Sequence, residues 1–284
     1  MLAGIIGYPL GHSLSPVIHN AGFAALGLDV RYEAWATPPE ELTAAVQRMH
    51  DPEMLGMSVT IPHKQTVMAL LDEIDPVATA IGSVNTIVKR DGRLIGYNTD
   101  KDGFMRPLRL AGCDPQGLRA LVLGVGGSER AIAYGLVEGG VASIALAGRR
   151  PERIAAAATH LASTAPRSVA ITQVAWNVDS LGAAADAADL IVNCTPVGMR
   201  HTPQEQEAPL AESMLRAGLW VVDIVYNPLE TVLLRLARKT GCRAVAGLAM
   251  LAYQGAAQQT LWTGREPPVD IMMAAAEAAL AEQE

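Results

Sequence analysis

The segment SVTIPHK, residues 58–64, ends in side chains that can exchange protons. It begins like a buried strand, and its Pro62 cannot donate a hydrogen bond to a strand ladder. His63 and Lys64 follow directly, and a further ionisable side chain, Asp100, ends the segment GYNTD. Positioned ammonium and carboxylate groups can act as general acids and bases. Taken alone, however, Lys64 is better explained as a lysine in the first turn of a helix, and Asp100 could equally form an Asx-turn or cap a helix.

Two serines in GHSLSPVIHN lie at the start of a predicted helix. Ser15 directly precedes Pro16, and proline suits the first helical position while serine suits the N-cap. Ser13 lies two residues earlier. A helix N-terminus flanked by two hydroxyl groups also favours a bound carboxylate. The residues alone leave both interpretations open, a capping serine and a carboxylate site.

A glycine-rich turn joins a strand to a helix in ALVLGVGGSERAIAYGLVEGG. Gly124, Gly126 and Gly127 lie where the backbone must turn sharply and let a pyrophosphate approach the amides of a helix N-terminus. Glycines also end strands for structural reasons, but the flanking strand and helix favour dinucleotide binding. The pattern departs from G-x-G-x-x-G, because Glu129 occupies the third glycine position and Ala131 is the candidate small packing residue.

The end of the next predicted strand discriminates between the two nicotinamide dinucleotides. An NAD site requires an acid about 20 residues after the glycine turn, to hold the ribose 2′-hydroxyl. The strand SIALAG is instead followed by GRRPER, which clusters Arg149, Arg150 and Arg153. Guanidinium groups match phosphate oxygens in charge and geometry. A solvated basic turn is the alternative, but at this spacing the sequence predicts NADP(H).

Short apolar runs alternate with helical segments along almost the whole chain. The runs AGIIGY, RYEAWA, GMSVTI, ALVLGV, SIALAG, LIVNCT and WVVDIV predict strands, most of them buried on both faces as in a parallel sheet. Helices are predicted over 39–49, 64–72, 128–138, 151–163 and 229–240. This alternation indicates an α/β protein. A fresh strand–helix–strand unit begins after NTDKDGF, and the strandless segment from Met250 onward could pack on either half.

Composition excludes several function classes. The chain has 284 residues, 50% of them hydrophobic and 18% charged, which is enough apolar material for a large core. A net charge of −7 disfavours a nucleic-acid groove or an anionic membrane surface as partner. Apolar stretches stay well short of the roughly 18 residues that a membrane span requires.

The cysteines and the amino terminus bear on the compartment. Cys113, Cys194 and Cys242 are far apart and odd in number, which argues against a disulfide framework or a zinc cluster. The start MLAGIIGYPLGHS has no basic region before its apolar run, so we do not expect a signal peptide. The sequence therefore predicts a soluble cytoplasmic protein without a metal site.

An ordered set of motifs resembles the shikimate dehydrogenase family over nearly the whole chain. The set comprises GHSLSPVIHN, SVTIPHK, GSVNT, GYNTD, GVGGSERA, GRRPER, NCTPVGM, VYNPLETVLL and GLAMLAYQGAAQ. The resemblance implies NADPH-dependent reduction of 3-dehydroshikimate to shikimate, in the pathway to chorismate and the aromatic amino acids. It also implies an α/β fold of two α/β domains separated by a cleft. Residues 1–103 would bind the substrate, with the 248–284 helices packing back on them, and residues 104–247 would form a Rossmann-like NADP-binding domain.

The resemblance also implies roles for individual residues. Lys64 and Asp100 would be the catalytic pair, with Lys64 giving a proton to the developing alkoxide and Asp100 orienting the ammonium. The substrate-binding set would comprise Ser13, Ser15, Thr60, Lys64, Asn85, Asp100, Tyr226 and Gln254. The NADP-binding set would comprise Gly124, Val125, Gly126, Gly127, Ser128, Arg149, Arg150, Arg153, Asn193, Thr195, Ile224 and Gly247.

Two departures from the family pattern keep neighbouring activities open. Ser58 stands where the family usually has asparagine, and Lys101 follows Asp100 where glycine is usual. A quinate/shikimate or aminoshikimate dehydrogenase and a non-catalytic NADP-binding metabolite sensor remain as alternatives. We expect His12 and His19 to satisfy local backbone groups rather than bind a metal. The oligomeric state stays open, with a homodimer as one option.

Overall fold

The computed structural model describes residues 1–11, 13–166 and 168–282, so the expectation for His12 lies outside the described residues. The chain divides into two compact units. The first unit comprises Met1–Gly103 and Leu251–Glu284, and the second comprises Phe104–Met250. Within the described residues, no helix combines the length and apolarity needed to cross a bilayer.

Strands and helices alternate along the chain. The strands are β1 (Leu2–Gly7), β2 (Arg31–Ala36), β3 (Met54–Val59), β4 (Glu73–Ile74), β5 (Thr86–Arg90), β6 (Arg93–Tyr97), β7 (Arg119–Leu123), β8 (Ser143–Gly148), β9 (Ala170–Ala175), β10 (Leu190–Asn193), β11 (Trp220–Asp223) and β12 (Arg243–Ala246). The α-helices are α1 (Ser15–Ala25), α2 (Leu42–Gln47), α3 (Pro76–Ile81), α4 (Asp100–Leu110), α5 (Gly127–Glu138), α6 (Pro151–Thr164), α7 (Val178–Ala187), α8 (Val232–Lys239), α9 (Leu248–Thr263) and α10 (Val269–Ala281). Short 3-10 segments cover Pro39–Glu41, Arg48–His50, Thr66–Leu70 and Glu212–Met214.

The first unit is built on a mixed sheet with the strand order β2-β1-β3-β5-β6-β4. Strands β1, β2 and β3 run parallel, whereas β5 is antiparallel to both β3 and β6. Along β1, Ile6 contributes to the core on one face, and Ala3 and Ile5 contribute to the core on the other. Both faces of the sheet are therefore covered, as the apolar strand AGIIGY predicts.

The hairpin of β5 and β6 is not among the elements predicted from the sequence. Asp91 and Gly92 form its two-residue turn, both with positive φ, at 52° and 77°. Asp-Gly is favoured in such turns because both central residues of a type I′ turn need positive φ. An Asp-Gly pair between two apolar runs is therefore the signal that could have revealed the hairpin.

The predicted helix over 64–72 is wrong. Only a 3-10 segment forms there, at Thr66–Leu70. The chain after this segment is hydrogen-bonded to β6 of the sheet. The Asp72 amide donates to the Leu94 carbonyl at 3.0 Å, and the Leu94 amide donates to the Asp72 carboxylate at 2.7 Å. These bonds lead the chain into β4, which pairs with β6. Tertiary pairing has therefore overridden the local helical pattern.

The second unit is built on a parallel sheet with the strand order β12-β11-β10-β7-β8-β9. Counted from β7, this is the 3-2-1-4-5-6 order of a doubly wound dinucleotide-binding fold. Helices α5 and α6 cover one face, and α7 and α8 cover the other. The strand order reverses between β7 and β10, and ligands bind at the carboxyl ends of the strands at such a switch point. The predicted α/β class with a Rossmann-like second part is confirmed.

Candidate active site

Lys64 and Asp100 form a buried ion pair in the first unit. The Lys64 ammonium donates to Asp100 Oδ2 at 2.5 Å, although the residues are 36 positions apart. Lys64 is 8% exposed and Asp100 is 4% exposed. Asp100 is the first residue of α4, where the helix dipole favours a carboxylate. Such a pair costs free energy to desolvate, so a chain with few charges that buries one is a candidate for a functional site.

Asn85 holds the other oxygen of the same carboxylate. Its side-chain amide donates to Asp100 Oδ1 at 2.8 Å and to Thr99 Oγ1 at 2.9 Å. In return, the Thr99 backbone amide donates to Asn85 Oδ1 at 2.8 Å. Both Asp100 oxygens are thus engaged, one by an ammonium and one by an amide. This geometry holds the ammonium in one orientation, as a general acid requires.

Sheet topology explains why these residues meet. Thr60 and Lys64 follow β3, and Asn85 immediately precedes β5. Because β5 is antiparallel to β3, its amino end lies at the carboxyl end of β3. Strand β6 is antiparallel to β5, so its carboxyl end, which leads to Asp100, lies at the same edge. The loop after β1 leads to Ser13 and Ser15 at that edge too, since β1 is parallel to β3.

The helix start at the two serines differs from a simple serine cap. Ser15 is the first residue of α1, and Leu14 takes the N-cap position without a side-chain hydrogen bond. Ser13 Oγ instead accepts the Ser15 backbone amide at 3.3 Å. Both hydroxyl groups therefore lie at the positive end of α1, which is compatible with a carboxylate ligand.

Gln254 and Tyr226 come from later in the chain. Gln254 lies on α9 in the first unit, and its side chain donates to the Leu251 carbonyl at 2.9 Å. A Cβ built on Gly103 of α4 would lie 2.5 Å from Gln254 Cβ, so glycine there lets α9 approach α4 one turn after Asp100. Tyr226 follows β11 in the second unit.

The predicted glycine loop joins β7 to α5 in the second unit. Gly124 has a φ of 97°, and a Cβ there would come within 2.9 Å of Thr195 and 3.0 Å of Cys194. Glycine is therefore required where this loop passes the end of β10. A Cβ on Gly126 would meet nothing within 4 Å, so the space beside this backbone is open. Gly127 begins α5, whose amino terminus favours an anion.

The predicted arginine cluster follows β8, the strand beside β7. Arg149 is exposed after the last residue of β8, Arg150 takes the N-cap position of α6, and Arg153 lies in its first turn. Because β7 and β8 are parallel, this turn and the glycine loop lie at the same edge of the sheet. Open space at a helix amino terminus, next to a basic turn, fits a pyrophosphate and a 2′-phosphate. The residues present therefore fit NADP(H).

Four further predicted NADP-site residues, Asn193, Thr195, Ile224 and Gly247, lie together at the ends of β10, β11 and β12. Asn193 is fully buried, and its amide donates to Asp223 at 2.9 Å while its oxygen accepts from the Thr195 hydroxyl at 2.6 Å. The Ile224 amide donates to the Asn193 carbonyl at 3.1 Å, and a Cβ on Gly247 would lie 2.4 Å from the Ile224 carbonyl oxygen. The Asn193 side chain therefore supports the loop that carries Thr195.

Comparison with known proteins agrees with this site. Residues 5–87 match the shikimate dehydrogenase substrate binding domain, and residues 247–277 match the shikimate 5′-dehydrogenase C-terminal domain. The chain is 47% identical over 273 residues to shikimate dehydrogenase (NADP(+)) of Moorella thermoacetica, covering 95% of this chain and 90% of that protein. The chain belongs to the shikimate dehydrogenase family.

Solved structures of family members have the same fold. The Thermus thermophilus shikimate 5-dehydrogenase, solved with NADP(H) and shikimate, has a TM-score of 0.85 and 36% identity, covering 99% of this chain and 100% of that one. A quinate dehydrogenase from Corynebacterium glutamicum, solved with NAD, has a TM-score of 0.90 and 32% identity, covering 98% and 99%. The fold is thus shared by shikimate and quinate enzymes and does not by itself select a substrate.

A cluster of buried acids beside the glycine loop of this shikimate dehydrogenase family member was not predicted from the sequence. Asp223 interrupts the apolar strand β11, and burial raises its pKa to about 6, against hydrogen bonds from Thr231, Val225 and Asn193. An acid inside a buried strand is the signal that could have revealed it. Burial also raises the pKa of the Cys194 thiol, and the nearby Glu129 and Asp223 carboxyl groups raise it further.

Glu129 is the acid of this cluster that lies in the first turn of α5. It is 2% exposed, and its Oε2 has no hydrogen-bond partner among the described residues. Burial raises the pKa of Glu129 to about 8, against smaller lowering effects of Arg130 and the Gly126 backbone. The carboxyl group is therefore mostly neutral at pH 7, so it adds little negative charge where the pyrophosphate would bind.

We expect Glu129→Gln to stabilise the protein at pH 8 but hardly at all near pH 4.5. The folded-state pKa of about 8 exceeds the ordinary value of 4.5, so the folded state binds the proton more tightly. The contribution of Glu129 to the free energy of unfolding is therefore fully present below pH 4.5 and is lost as the pH rises toward 8. Glutamine removes this loss, which is on the order of 3 kcal/mol between pH 5 and pH 8 at 1.36 kcal/mol per pKa unit.

Urea denaturation at pH 5 and pH 8 measures this effect as a difference in the free energy of unfolding. Glu138→Gln is the matched control, because Glu138 is exposed at the other end of α5. The carboxyl group of Asp223 also titrates, but its contribution to the free energy of unfolding is the same in both variants and in the unmodified protein. If Glu129→Gln raises the free energy of unfolding by the same amount at pH 5 and pH 8, the raised pKa of Glu129 is contradicted.

Proposed function

We propose that the protein catalyses the reversible, NADP-dependent reduction of 3-dehydroshikimate to shikimate. The observation that carries this proposal is the buried Lys64–Asp100 ion pair at the ligand-binding edge of the first unit. In a family member, such a pair supplies the acid–base chemistry that ketone reduction needs. Shikimate production serves chorismate and aromatic amino-acid biosynthesis.

The first unit is the proposed substrate-binding unit. Ser13 and Ser15 would hold the substrate carboxylate at the amino terminus of α1. Thr60, Gln254 and the catalytic pair would supply hydrogen-bond donors and acceptors for ring hydroxyl groups, and Tyr226 of the second unit is a further candidate. Asn85, whose two amide protons already go to Asp100 and Thr99, would serve the substrate by holding Asp100 beside it. A ring with several hydroxyl groups is discriminated by such donors and acceptors, because each one left unpaired costs free energy.

NADPH, when bound, would supply the hydride for the carbonyl carbon. As the carbonyl oxygen gains negative charge, the Lys64 ammonium donates a proton to it and becomes a neutral amine. Asp100 accepts a hydrogen bond from that ammonium and orients it before transfer, and Asn85 orients Asp100. In the reverse direction, the neutral amine of Lys64 accepts the proton of the shikimate hydroxyl.

The second unit is the proposed NADP(H)-binding unit. The glycine loop would hold the pyrophosphate through Gly124, Val125, Gly126, Gly127 and Ser128. The 2′-phosphate would lie at Arg149, Arg150 and Arg153, and Thr195, Ile224 and Gly247 would lie along the same edge of the sheet.

The two departures from the family pattern do not argue for another substrate. Ser58 is buried and takes part in hydrogen bonds with Tyr32 and Gln258. The Lys101 ammonium lies 3.4 Å from the Asp102 carboxylate, while the oxygens of Asp100 accept from Lys64 and Asn85. We therefore favour shikimate over quinate as the substrate.

Steady-state oxidation of shikimate and quinate, each with NADP⁺ and with NAD⁺, tests the proposal. We expect kcat/KM for shikimate with NADP⁺ to exceed the other three combinations by about tenfold or more, the effect of one lost charge-assisted hydrogen bond. Comparable turnover of quinate would make the protein a quinate/shikimate dehydrogenase. Binding of NADP⁺ and shikimate without turnover would support the metabolite sensor.

The homodimer and the cytoplasmic location stay predictions. Light scattering can check the oligomeric state, and cell fractionation can check the location.

A further inference from the structure

Gln258 of α9 lies at the centre of a buried polar network in the first unit. It is 2% exposed. Its Nε2 donates to the Asn85 backbone carbonyl at 3.1 Å and to Thr86 Oγ1 at 3.0 Å. Its Oε1 accepts from Ser58 Oγ at 2.8 Å and lies 3.1 Å from His19 Nε2. The Gln258 amide thus uses both of its protons and both of its acceptor sites.

The partners determine which way this amide points. A backbone carbonyl can only accept, so the atom that faces the Asn85 carbonyl must be the nitrogen of Gln258. Its oxygen then faces His19 Nε2, which must carry a proton. His19 Nδ1 is left to accept from Gln259 Nε2 at 3.2 Å. Burial lowers the pKa of His19 to about 3, so this arrangement keeps one ring proton under ordinary conditions.

The direction of the hydrogen bonds continues from Gln258 to the catalytic pair. Thr86 Oγ1 accepts from Gln258, so its own proton goes to Asn85 Oδ1 at 2.8 Å. With its oxygen held there and by the Thr99 amide, Asn85 presents its nitrogen to Asp100 Oδ1. Asp100 Oδ2 accepts from Lys64. An unbroken series of donors therefore links Gln258 to the carboxylate that orients the ammonium.

We propose that Gln258 is a positioning residue for the reaction, acting through Thr86 and Asn85 on Asp100 and Lys64. The inference rests on the proposed function, because it assigns proton transfer to Lys64. Gln258 bonds protein groups on every side, so it does not need to touch the substrate. Ser58, where the family usually has asparagine, belongs to this network through its bond to Gln258.

The main test compares Gln258→Met with Gln259→Met. Methionine is unbranched and similar in length to glutamine, and it removes the hydrogen bonds of the amide. Gln259 is the matched control, because it is a fully buried amide on the same helix whose side chain bonds only His19 among the described residues. We expect Gln258→Met to lower kcat about tenfold with less than about a threefold change in shikimate KM, whereas Gln259→Met leaves kcat within about twofold. Equal losses of kcat in the two variants would overturn the proposal.

Gln258→Glu provides a second readout that loss of packing would not change. A neutral carboxylic acid can still donate one proton to Thr86, but an ionised carboxylate can donate none. The kcat–pH profile of Gln258→Glu should therefore lose activity with rising pH through an ionisation that the unmodified enzyme lacks. An unaltered shape of the profile would contradict the role of Gln258 as a donor.

Proton exchange of the Asn85 side-chain amide, followed by NMR, tests the positioning without any turnover. We expect faster exchange in Gln258→Met than in Gln259→Met, because only the first variant loosens Thr86 and Asn85. If the unmodified protein oxidises neither substrate, the proposed function fails while this comparison still decides the positioning. If turnover is normal but exchange is equal in both variants, the positioning fails and the proposed function stands.

Discussion

Lys64→Ala will lower kcat for shikimate oxidation by about a hundred to ten thousand fold, with little change in shikimate KM. This is the usual contribution of a positioned proton-transfer group. The side chain is buried and its ammonium is held 2.5 Å from Asp100, so solvent cannot easily take its place. The ammonium matters most when charge develops on the carbonyl oxygen, and for that reason kcat should change more than KM.

The experiment must separate lost chemistry from lost stability. Removing one partner of a buried ion pair leaves the other charge buried without a partner and lowers the free energy of unfolding by about 3–5 kcal/mol. Replacing both partners by neutral side chains often changes the free energy of unfolding little. The double variant Lys64→Met/Asp100→Asn should therefore unfold near the urea concentration of the unmodified protein and still be inactive. Lys89→Ala is the matched control, since Lys89 is bonded to the Asp51 carbonyl at the surface of the same unit. A folded Lys64→Ala enzyme as fast as the unmodified one would eliminate the proton-transfer role.

Arg149→Ala will weaken NADP⁺ binding by about ten to a hundredfold and will leave NAD⁺ binding almost unchanged. A charge-assisted hydrogen bond between guanidinium and phosphate contributes roughly 1.5–3 kcal/mol, and NAD⁺ has no 2′-phosphate to receive it. Arg149 is exposed, so the effect should shrink as salt screens the attraction. Equilibrium titration with both dinucleotides at low and high salt measures these differences.

Smaller probes isolate the 2′-phosphate contact. The variant should lose affinity for 2′,5′-ADP but keep its affinity for 5′-AMP. Arg235→Ala is the control, because Arg235 is an exposed arginine on α8 of the same unit. If Arg149→Ala raises the dissociation constants of NADP⁺ and NAD⁺ by the same factor, the 2′-phosphate assignment is refuted.

The cofactor side could be predicted from sequence because its parts are close together along the chain. The glycine loop follows β7, α5 follows the loop, and the arginine turn follows the next strand. Each part depends on backbone conformation or charge over a few residues, and neighbouring parallel strands bring their carboxyl ends to one edge. The predicted helices over 128–138 and 151–163 are present for the same reason.

Secondary structure was predicted less well where the backbone hydrogen bonds of a segment go to residues that are distant in sequence. The helix predicted over 64–72 gave way to pairing between Asp72 and Leu94. The hairpin of β5 and β6 was missed, and the positions of Asn85 and Asp100 at one edge depend on it. Asp223 is a single acid within an apolar strand, whereas Glu129 lies between Ser128 and Arg130 and Gln258 lies beside Gln259. No period in the sequence therefore distinguishes these buried polar residues from exposed ones.

The sequence alone therefore determined the α/β class and the preference for NADP(H), and it predicted the glycine loop, the arginine turn and the motifs that carry Lys64 and Asp100. The family resemblance implied that these two act together, and the tertiary structure shows how they meet across 36 residues of chain. Only the tertiary structure decided that Gln258 bonds Ser58 across 200 residues. The physical reason is that a buried donor or acceptor must find a partner wherever the fold offers one, while local pattern reports only which face of an element is buried.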